Sequence, residues 1–451
     1  MAAMHAVIWW GMTLLNRNTR QGKGNIPINK DIAKRIENGQ VIQDIPLVEF
    51  NGVMIPLFTV IPATSYFNGQ GSLAVHDHYT RYIISSYGII ECPVTYWKLF
   101  NEAGTVYFTD TIVGVTGSAN YSDEYLEKQK WVRYDGKCSL WNTRSCGEIY
   151  TSGLTDDPGR APCPTTLWKY EQKEGEKSFE ELSKLDVPLG DGALHVDGYW
   201  VKDGWRKFIE LQLGRKLTDR EWKKLRYKII YVVATKDKVI LDFEITNINP
   251  AYLELVPLFN RIKHRFSEKQ IKKVVSDEDD AIIEAVRRVL PDAVHSFCVF
   301  HQLKNVTKKY LNEFKEIDLI PEFDKEIYEL SQELIMSDNA IQSTMLLQKI
   351  KGMAESRRLS QASKDVVRYI VEIYHKNRVL LEKGFVPETN NIMEQLFSLI
   401  DDIVYQARSF KQKYSMKNFF SNLFLLFNHR AFNTGTWRGV SPLDRARLRP
   451  G

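Results

Sequence analysis

Three acidic residues stand where a carboxylate needs a reason to be. Asp197 lies inside an apolar run, Ala193-Leu194-His195-Val196-Asp197-Gly198-Tyr199-Trp200-Val201. A charge in a central strand is costly unless it is paired, protonated or bound to a metal. The plain alternative is an exposed Asp at a strand end or bulge, helped by Gly198. Asp277 directly follows the apolar stretch Val274-Val275-Ser276, and sites in open α/β sheets form beyond the carboxyl ends of strands. Ser276 or Asp277 can instead cap the helix that follows. Asp279 and Asp280 are close enough to confuse assignment of the second ligand, and Asp277 is preferred because it directly follows the apolar strand. Glu394 comes three residues after Asn391, the spacing of a capping box, and taken alone that is its simpler use. In combination the three can converge over one sheet. Three close carboxylates repel, and one stays protonated near neutral pH unless cations intervene. Oxygen-only ligands suit Mg²⁺ or Mn²⁺ rather than zinc. Two such ions roughly 3.5–4 Å apart clamp the attacking and leaving oxygens of a phosphodiester displacement. That is chemistry on nucleic acid.

The elements that must position these acids can be read from periodicity. Gly192 to Val201 and Lys228 to Ala234 read as strands, the second apolar on both faces and so central. In Val239 to Ile245 apolar residues alternate with polar ones, the sign of a half-exposed strand. A helix over Ala251 to Phe266 follows, then a strand at Ile271 to Val275, a helix at Ala281 to Leu290 and a strand at Ala293 to Val299. Three strands on short links followed by alternation with helices imply an α/β fold with a mixed sheet flanked by helices. From Val299 to Gly384 the pattern is helical: Phe323, Ile327, Leu330 and Leu334 step at helical spacing, as do Val366, Ile370 and Ile373. Pro387 interrupts it, and Asn391 to Arg408 and Ser415 to Phe427 read as two further helices.

Residues 1–187 have a different texture, rich in Gly, Thr, Tyr and Trp, with short β-like runs at Val53 to Ile61 and Thr105 to Val115. This region is expected to be irregular and β-rich. Cys138 to Thr166 reads as loop, with a turn at Asp156-Asp157-Pro158-Gly159, and Asn29 to Gly39 reads as a helix. The role of the region is open, DNA-end binding being one possibility. The chain is 451 residues long, more than one ordinary domain holds. Its 43% of hydrophobic residues supports a sizeable core and argues against disorder. A formal charge of +5 permits a polyanionic partner without demanding one. The cysteines, five in number, show no paired short-spaced ligand pattern, which favours reduced thiols over a Cys138/Cys146/Cys163 zinc cluster. The apolar run Ala6 to Leu15 is too short for a bilayer span, so a soluble intracellular protein without a membrane partner is expected.

Residues 190 to 445 resemble the DDE transposases of the Mutator-like superfamily and related prokaryotic insertion-sequence transposases. Four segments carry the resemblance: His195-Val196-Asp197-Gly198, Val275-Ser276-Asp277, Cys298-Val299-Phe300-His301, and Thr389-Asn390-Asn391-Ile392-Met393-Glu394. The resemblance implies a ribonuclease H-like core at 188–304 and 386–430, an all-helical insertion at 305–385 and a basic tail at 431–451. It implies that Asp197, Asp277 and Glu394 are catalytic ligands of two Mg²⁺ or Mn²⁺ ions, with Cys298 and His301 as accessory residues. The implied activity is cleavage at transposon ends followed by strand transfer into target DNA. DNA is then the partner, with a homo-oligomer assembled on it. Residues 1–187 match no end-binding module of that family.

Basic residues downstream fit a surface facing phosphates: Lys304, Lys308 and Lys309 on one helix, Arg408, Lys411 and Lys413 after the Glu394 helix, and Arg445, Arg447 and Arg449 at the end. An ordinary solvated face is the alternative for each cluster. Two other functions remain open at the level of sequence. One is another ribonuclease H-like nuclease, against which the long helical insertion argues. The other is a domesticated or decayed transposase that binds DNA without cutting it.

Overall fold

The computed structural model describes residues 34–35, 45–65, 72–101, 104–117, 119–155, 161–202, 206–266, 270–356, 359–407, 410, 412–433 and 435–448. The chain divides into two compact units, Met1–Glu171 and Gln172–Gly451.

The first unit is built on a long antiparallel hairpin, β5 (Ser72–Ser85) with β6 (Gly88–Asn101). Strand β7 (Gly104–Thr109) pairs with the far half of β6. Short strands β2 (Leu47–Phe50), β3 (Val53–Pro56), β4 (Val60–Ile61) and β8 (Thr111–Ile112) surround it. Ile83, Ile90, Val94, Leu57 and Phe58 form its core. The expected helix at Asn29 to Gly39 is corrected where it is described. Lys34–Arg35 is a strand, β1, paired in parallel with Ile90 and Glu91. The loop expected over Cys138 to Thr166 is also corrected, although Asp156 to Gly159 lies outside the described residues. Helices α1 (Asp123–Asp135), α2 (Leu140–Thr155) and α3 (Pro164–Lys184) run through this stretch. Gly147 allows close helix packing, since a Cβ there would stand 3.0 Å from the Tyr125 hydroxyl oxygen.

The second unit holds a five-stranded mixed sheet in the order β11-β10-β9-β12-β13. Its strands are β9 (Ala193–Lys202), β10 (Tyr227–Thr235), β11 (Ile240–Thr246), β12 (Lys273–Ser276) and β13 (Val294–Phe297). The first three are antiparallel neighbours, and β12 and β13 run parallel to β9. Between β9 and β10 lie α4 (Arg206–Leu213) and α5 (Asp219–Leu225). Alternation along β9 splits its side chains between two layers. Leu194 and Val196 join the core formed with α6 (Tyr252–Arg265) and α7 (Asp280–Val289), where Leu258, Phe259, Ile262 and Ile282 are fully buried. Each such side chain contributes about 1.5–3 kcal/mol by leaving water. On the opposite layer Tyr199 meets Phe397 of α12 (Asn391–Ala407) and Phe420 of α13 (Lys413–His429).

The half-exposed strand expected at Val239 to Ile245 is buried instead, because both of its faces are covered. Phe243 packs edge-on against Phe424 at 5.1 Å, and Asn428 bonds both the N–H and the carbonyl of Ile240 at 2.8 Å. Asp242 and Glu244, the polar half of the alternation, are taken by Arg261 at 2.7 and 3.2 Å. Helix α3 in turn approaches α13 closely: a Cβ on Gly175 would sit 2.6 Å from the Asn418 backbone.

Between β13 and α12 stands a helical bundle: α8 (Val299–Phe314), α9 (Glu322–Met336), α10 (Ala340–Ser356) and α11 (Gln361–Glu382). Val306, Tyr310, Ile327, Leu334, Ile350, Val366, Ile370 and Ile373 form its core. A last helix, α14 (Pro442–Leu448), buries Leu443 and Ala446 in the sheet core. Arg445 pairs with Asp237 at 2.9 Å there; Arg449 lies outside the described residues. Among the described residues no helix is long and apolar enough to cross a membrane.

Candidate active site

Asp197 sits in the middle of the central strand β9, opposite Val232 of β10. It is half-buried, and its Oδ1 accepts a bond from the Gly198 N–H at 2.7 Å. Burial first, then the negative charges of Asp277, Glu394 and Asp279, push its pKa up to about 7. Asp277 follows β12 immediately. Its pKa is raised too, by burial and then by Asp279, while His301 pulls it down. Glu394 is exposed on the first turn of α12. The Asp197 carboxyl thus lies in the combined field of Asp277, Glu394 and Asp279. Among the described residues no three His, Cys, Asp or Glu side chains stand close enough together to hold a metal ion.

Helix capping is assigned differently from the sequence expectation. Asp279, rather than Ser276 or Asp277, caps α7, accepting from the N–H groups of Ala281 at 2.8 Å and Ile282 at 3.4 Å. Its other oxygen accepts the Tyr231 hydroxyl at 2.7 Å. Ser276 is committed elsewhere, with its hydroxyl 2.7 Å from both the Asp277 carbonyl and His295 Nε2. Asp277 is therefore free of the capping role. Helix α12 begins at Asn391 itself, so Asn390 is the residue immediately before it.

The polypeptide segment that brings Glu394 back to the sheet is fastened at several points. Glu388 accepts the Val299 N–H at 3.0 Å and pairs through its carboxylate with buried Lys273 at 2.7 Å. Asn390 lies fully buried. Its Nδ2 donates to the Val196 carbonyl at 2.9 Å, its Oδ1 stands 3.2 Å from His195 Nδ1, and its N–H donates to Cys298 Sγ at 3.1 Å. Cys298 is thus a buried thiol at the start of α8, its own N–H held by the Ser276 carbonyl at 2.7 Å. His301, one turn into α8, has a buried Nδ1 without a hydrogen-bond partner.

Asn390 and His195 carry this arrangement; in the sequence both stand only as members of the segments that carry the resemblance, and neither is given a role there. Of the basic residues, Lys304 and Lys308 are exposed one turn apart on α8. Lys309 is half-buried, its ammonium 5.6 Å from the centre of the Tyr369 ring. Lys413 is exposed and 3.7 Å from Glu244. Arg408 and Lys411 lie outside the described residues.

Residues 246–305, which include Asp277, Cys298 and His301, match the family described as the MULE transposase domain. No curated protein matches the chain. Among solved structures, the Drosophila P element transposase strand transfer complex aligns at 10% identity with a TM-score of 0.28, over 73% of this chain and 90% of that one. The chain is similar to transposases of the Mutator-like type, and its residues 246–305 carry the match to their MULE transposase domain.

Proposed function

We propose that the chain is a DDE-type DNA transposase with a ribonuclease H-like core, in which Asp197, Asp277 and Glu394 hold two Mg²⁺ or Mn²⁺ ions. The observation that carries this is convergence: acids from the end of the fourth strand and from a late helix act on the Asp197 carboxyl of the first strand. The strand order, with three antiparallel strands continued by two parallel ones, supports the core assignment. The donor set fits hard divalent cations. It is made of oxygens, and its two aspartates are held toward the neutral form by burial and by neighbouring acids, a strain that a cation relieves. Closing the set around ions requires the side chains to move from their present positions.

When bound, such ions acidify an attacking water or DNA 3′-hydroxyl and stabilise the departing oxyanion. The protein's own residues supply position. β9 and its bond to Asn390 fix Asp197 against the start of the Glu394 helix. Asp279, by taking the α7 cap, leaves Asp277 available. Lys304 and Lys308 hold backbone phosphates beside the site. The substrate in this proposal is transposon-end DNA, and the second substrate is target DNA joined by the freed 3′ end.

The test is incubation with DNA carrying the element's flanking terminal repeats and Mg²⁺ or Mn²⁺, scored for 3′-end nicks and joined products. Asp197→Asn, Asp277→Asn and Glu394→Gln are each expected to abolish cleavage while leaving DNA binding largely intact. Wild-type cleavage by Asp197→Asn refutes the assignment.

A further inference from the structure

We infer that Glu278 is a positioning residue through which the helical insertion sets the place of Asp277; this rests on the proposed role of Asp277 as a ligand. Glu278 follows Asp277 directly, yet its carboxylate is engaged by the bundle. Its Oε2 accepts Asn305 Nδ2 of α8 at 3.0 Å and the Tyr369 hydroxyl of α11 at 2.5 Å. Its Oε1 lies 3.9 Å from Lys376 Nζ, also on α11. Asn305 and the Tyr369 hydroxyl are themselves 3.4 Å apart, which closes a three-membered network.

A second path joins the same helix to the other side of Asp277. The Lys376 ammonium stands 4.6 Å from the centre of the Phe297 ring, Phe297 stacks on His295 at 4.6 Å, and His295 Nε2 meets the Ser276 hydroxyl at 2.7 Å. Asp277 is therefore flanked on both sides by residues tied to α11, one directly and one through a ring stack. α8 and α11 share one packed core, so the two helices cannot shift independently of it. With Oε2 taken by two donors, and with the Lys376 ammonium nearer to Glu372, at 2.8 Å, than to Oε1, at 3.9 Å, Glu278 holds the loop to the bundle chiefly through Oε2. The insertion is in this respect part of the site's frame.

The experiment titrates full-length protein with Mn²⁺ and follows loss of the free-ion signal by electron paramagnetic resonance, with DNA affinity measured in parallel. Glu278→Ala and Tyr369→Phe are expected to weaken Mn²⁺ binding about 10- to 100-fold, the usual range for residues that orient ligands, with DNA affinity unchanged. Glu278→Gln, whose amide oxygen can accept both bonds now made to Oε2, is expected to stay near wild type. Wild-type Mn²⁺ binding by Asp277→Asn overturns the ligand role beneath the inference. Loss in Asp277→Asn with wild-type binding in both Glu278→Ala and Tyr369→Phe overturns the positioning role alone. Glu278→Gln as weak as Glu278→Ala likewise overturns it, because charge rather than placement would then be what the site requires. Should Glu278→Ala fail to fold, Tyr369→Phe, which deletes a single oxygen, decides the matter.

Discussion

The side chain of Asn390 donates a hydrogen bond to the carbonyl of Val196, the residue before Asp197 in β9, at 2.9 Å. Asn390 also immediately precedes the helix that carries Glu394. One amide thus spans the two ends of the proposed site, which are far apart in the chain. Its other atom faces His195 at 3.2 Å, so the amide meets the two residues that precede Asp197. The bond is buried, so water does not compete for it.

Asn390→Ala is expected to leave the Val196 carbonyl and the His195 ring nitrogen without their partner, at about 1–3 kcal/mol of stability for such an unsatisfied group. Because misplacement near 1 Å can slow a reaction about 10²-fold, cleavage should fall more than stability does. Asn390→Asp, nearly the same size, cannot donate to the carbonyl and should be equally damaging. Urea unfolding and a nicking assay check this together. Full activity in Asn390→Asp would show that the bond to Val196 is dispensable.

The acid cluster predicts how cation-free protein responds to pH. Asp197 is raised to about 7 in the folded chain, against about 3.9 when unfolded. A raised carboxyl stabilises the fold in its protonated form. That contribution is complete below the unfolded value and is lost as pH climbs through the folded one. Asp197→Asn should therefore match wild type near pH 4 and exceed it at pH 8 by about 1–2 kcal/mol, after allowance for solvent screening. Adding Mg²⁺ should flatten the decline in wild type only. Denaturant unfolding in chelator across this range gives the answer, and parallel curves for the two proteins would count against a strained Asp197.

How much of this was legible in the sequence depended on the range of the interactions involved. The strands around Asp197 and Asp277 were readable because apolar runs bounded by turns are local signals. β11 was misread as half-exposed because its second cover, α13, comes from far down the chain, and Asp242 looks solvated until Arg261 is brought to it. The caps were misassigned for a related reason. Asp277, Asp279 and Asn391 all satisfy local capping rules, and only packing decides that Asp279 serves and that Asn390 turns back to the sheet. The stretch after Cys138 reads as loop because its strongest local signal is the turn at Asp156 to Gly159. The helix over Leu140–Thr155 is instead held by packing, the Tyr125 hydroxyl donating to the Gly147 carbonyl at 3.3 Å.

The cysteines give a test that needs no substrate. Cys163 is exposed, and its thiol is lowered by a hydrogen bond to Thr166. Cys146 is brought down to about 7 by the thiol of Cys138. Burial pushes Cys92 up to about 12 and raises Cys298 as well. Thiolates react and buried thiols do not. Brief alkylation of native protein, read by peptide mass spectrometry, should label Cys163 and Cys146 first, and Cys92 and Cys298 only after unfolding. Early labelling of Cys298 would contradict its place beneath Asn390.

The lysines of α8 make a quantitative prediction about DNA. Lys304 and Lys308 are exposed and one turn apart, whereas the Lys309 ammonium lies over Tyr369 and is less available to phosphate. Each phosphate contact contributes about 0.9 to the slope of log affinity against log salt. Lys304→Ala and Lys308→Ala should each reduce that slope by about one unit and weaken binding alike for any sequence. Lys309→Ala should change it by much less. Fluorescence anisotropy with duplexes of unrelated sequence, repeated over a range of salt, separates the cases. A double Lys304→Ala/Lys308→Ala variant with an unaltered slope would remove α8 from the DNA-facing surface, and phosphate binding would then have to come from elsewhere in the chain.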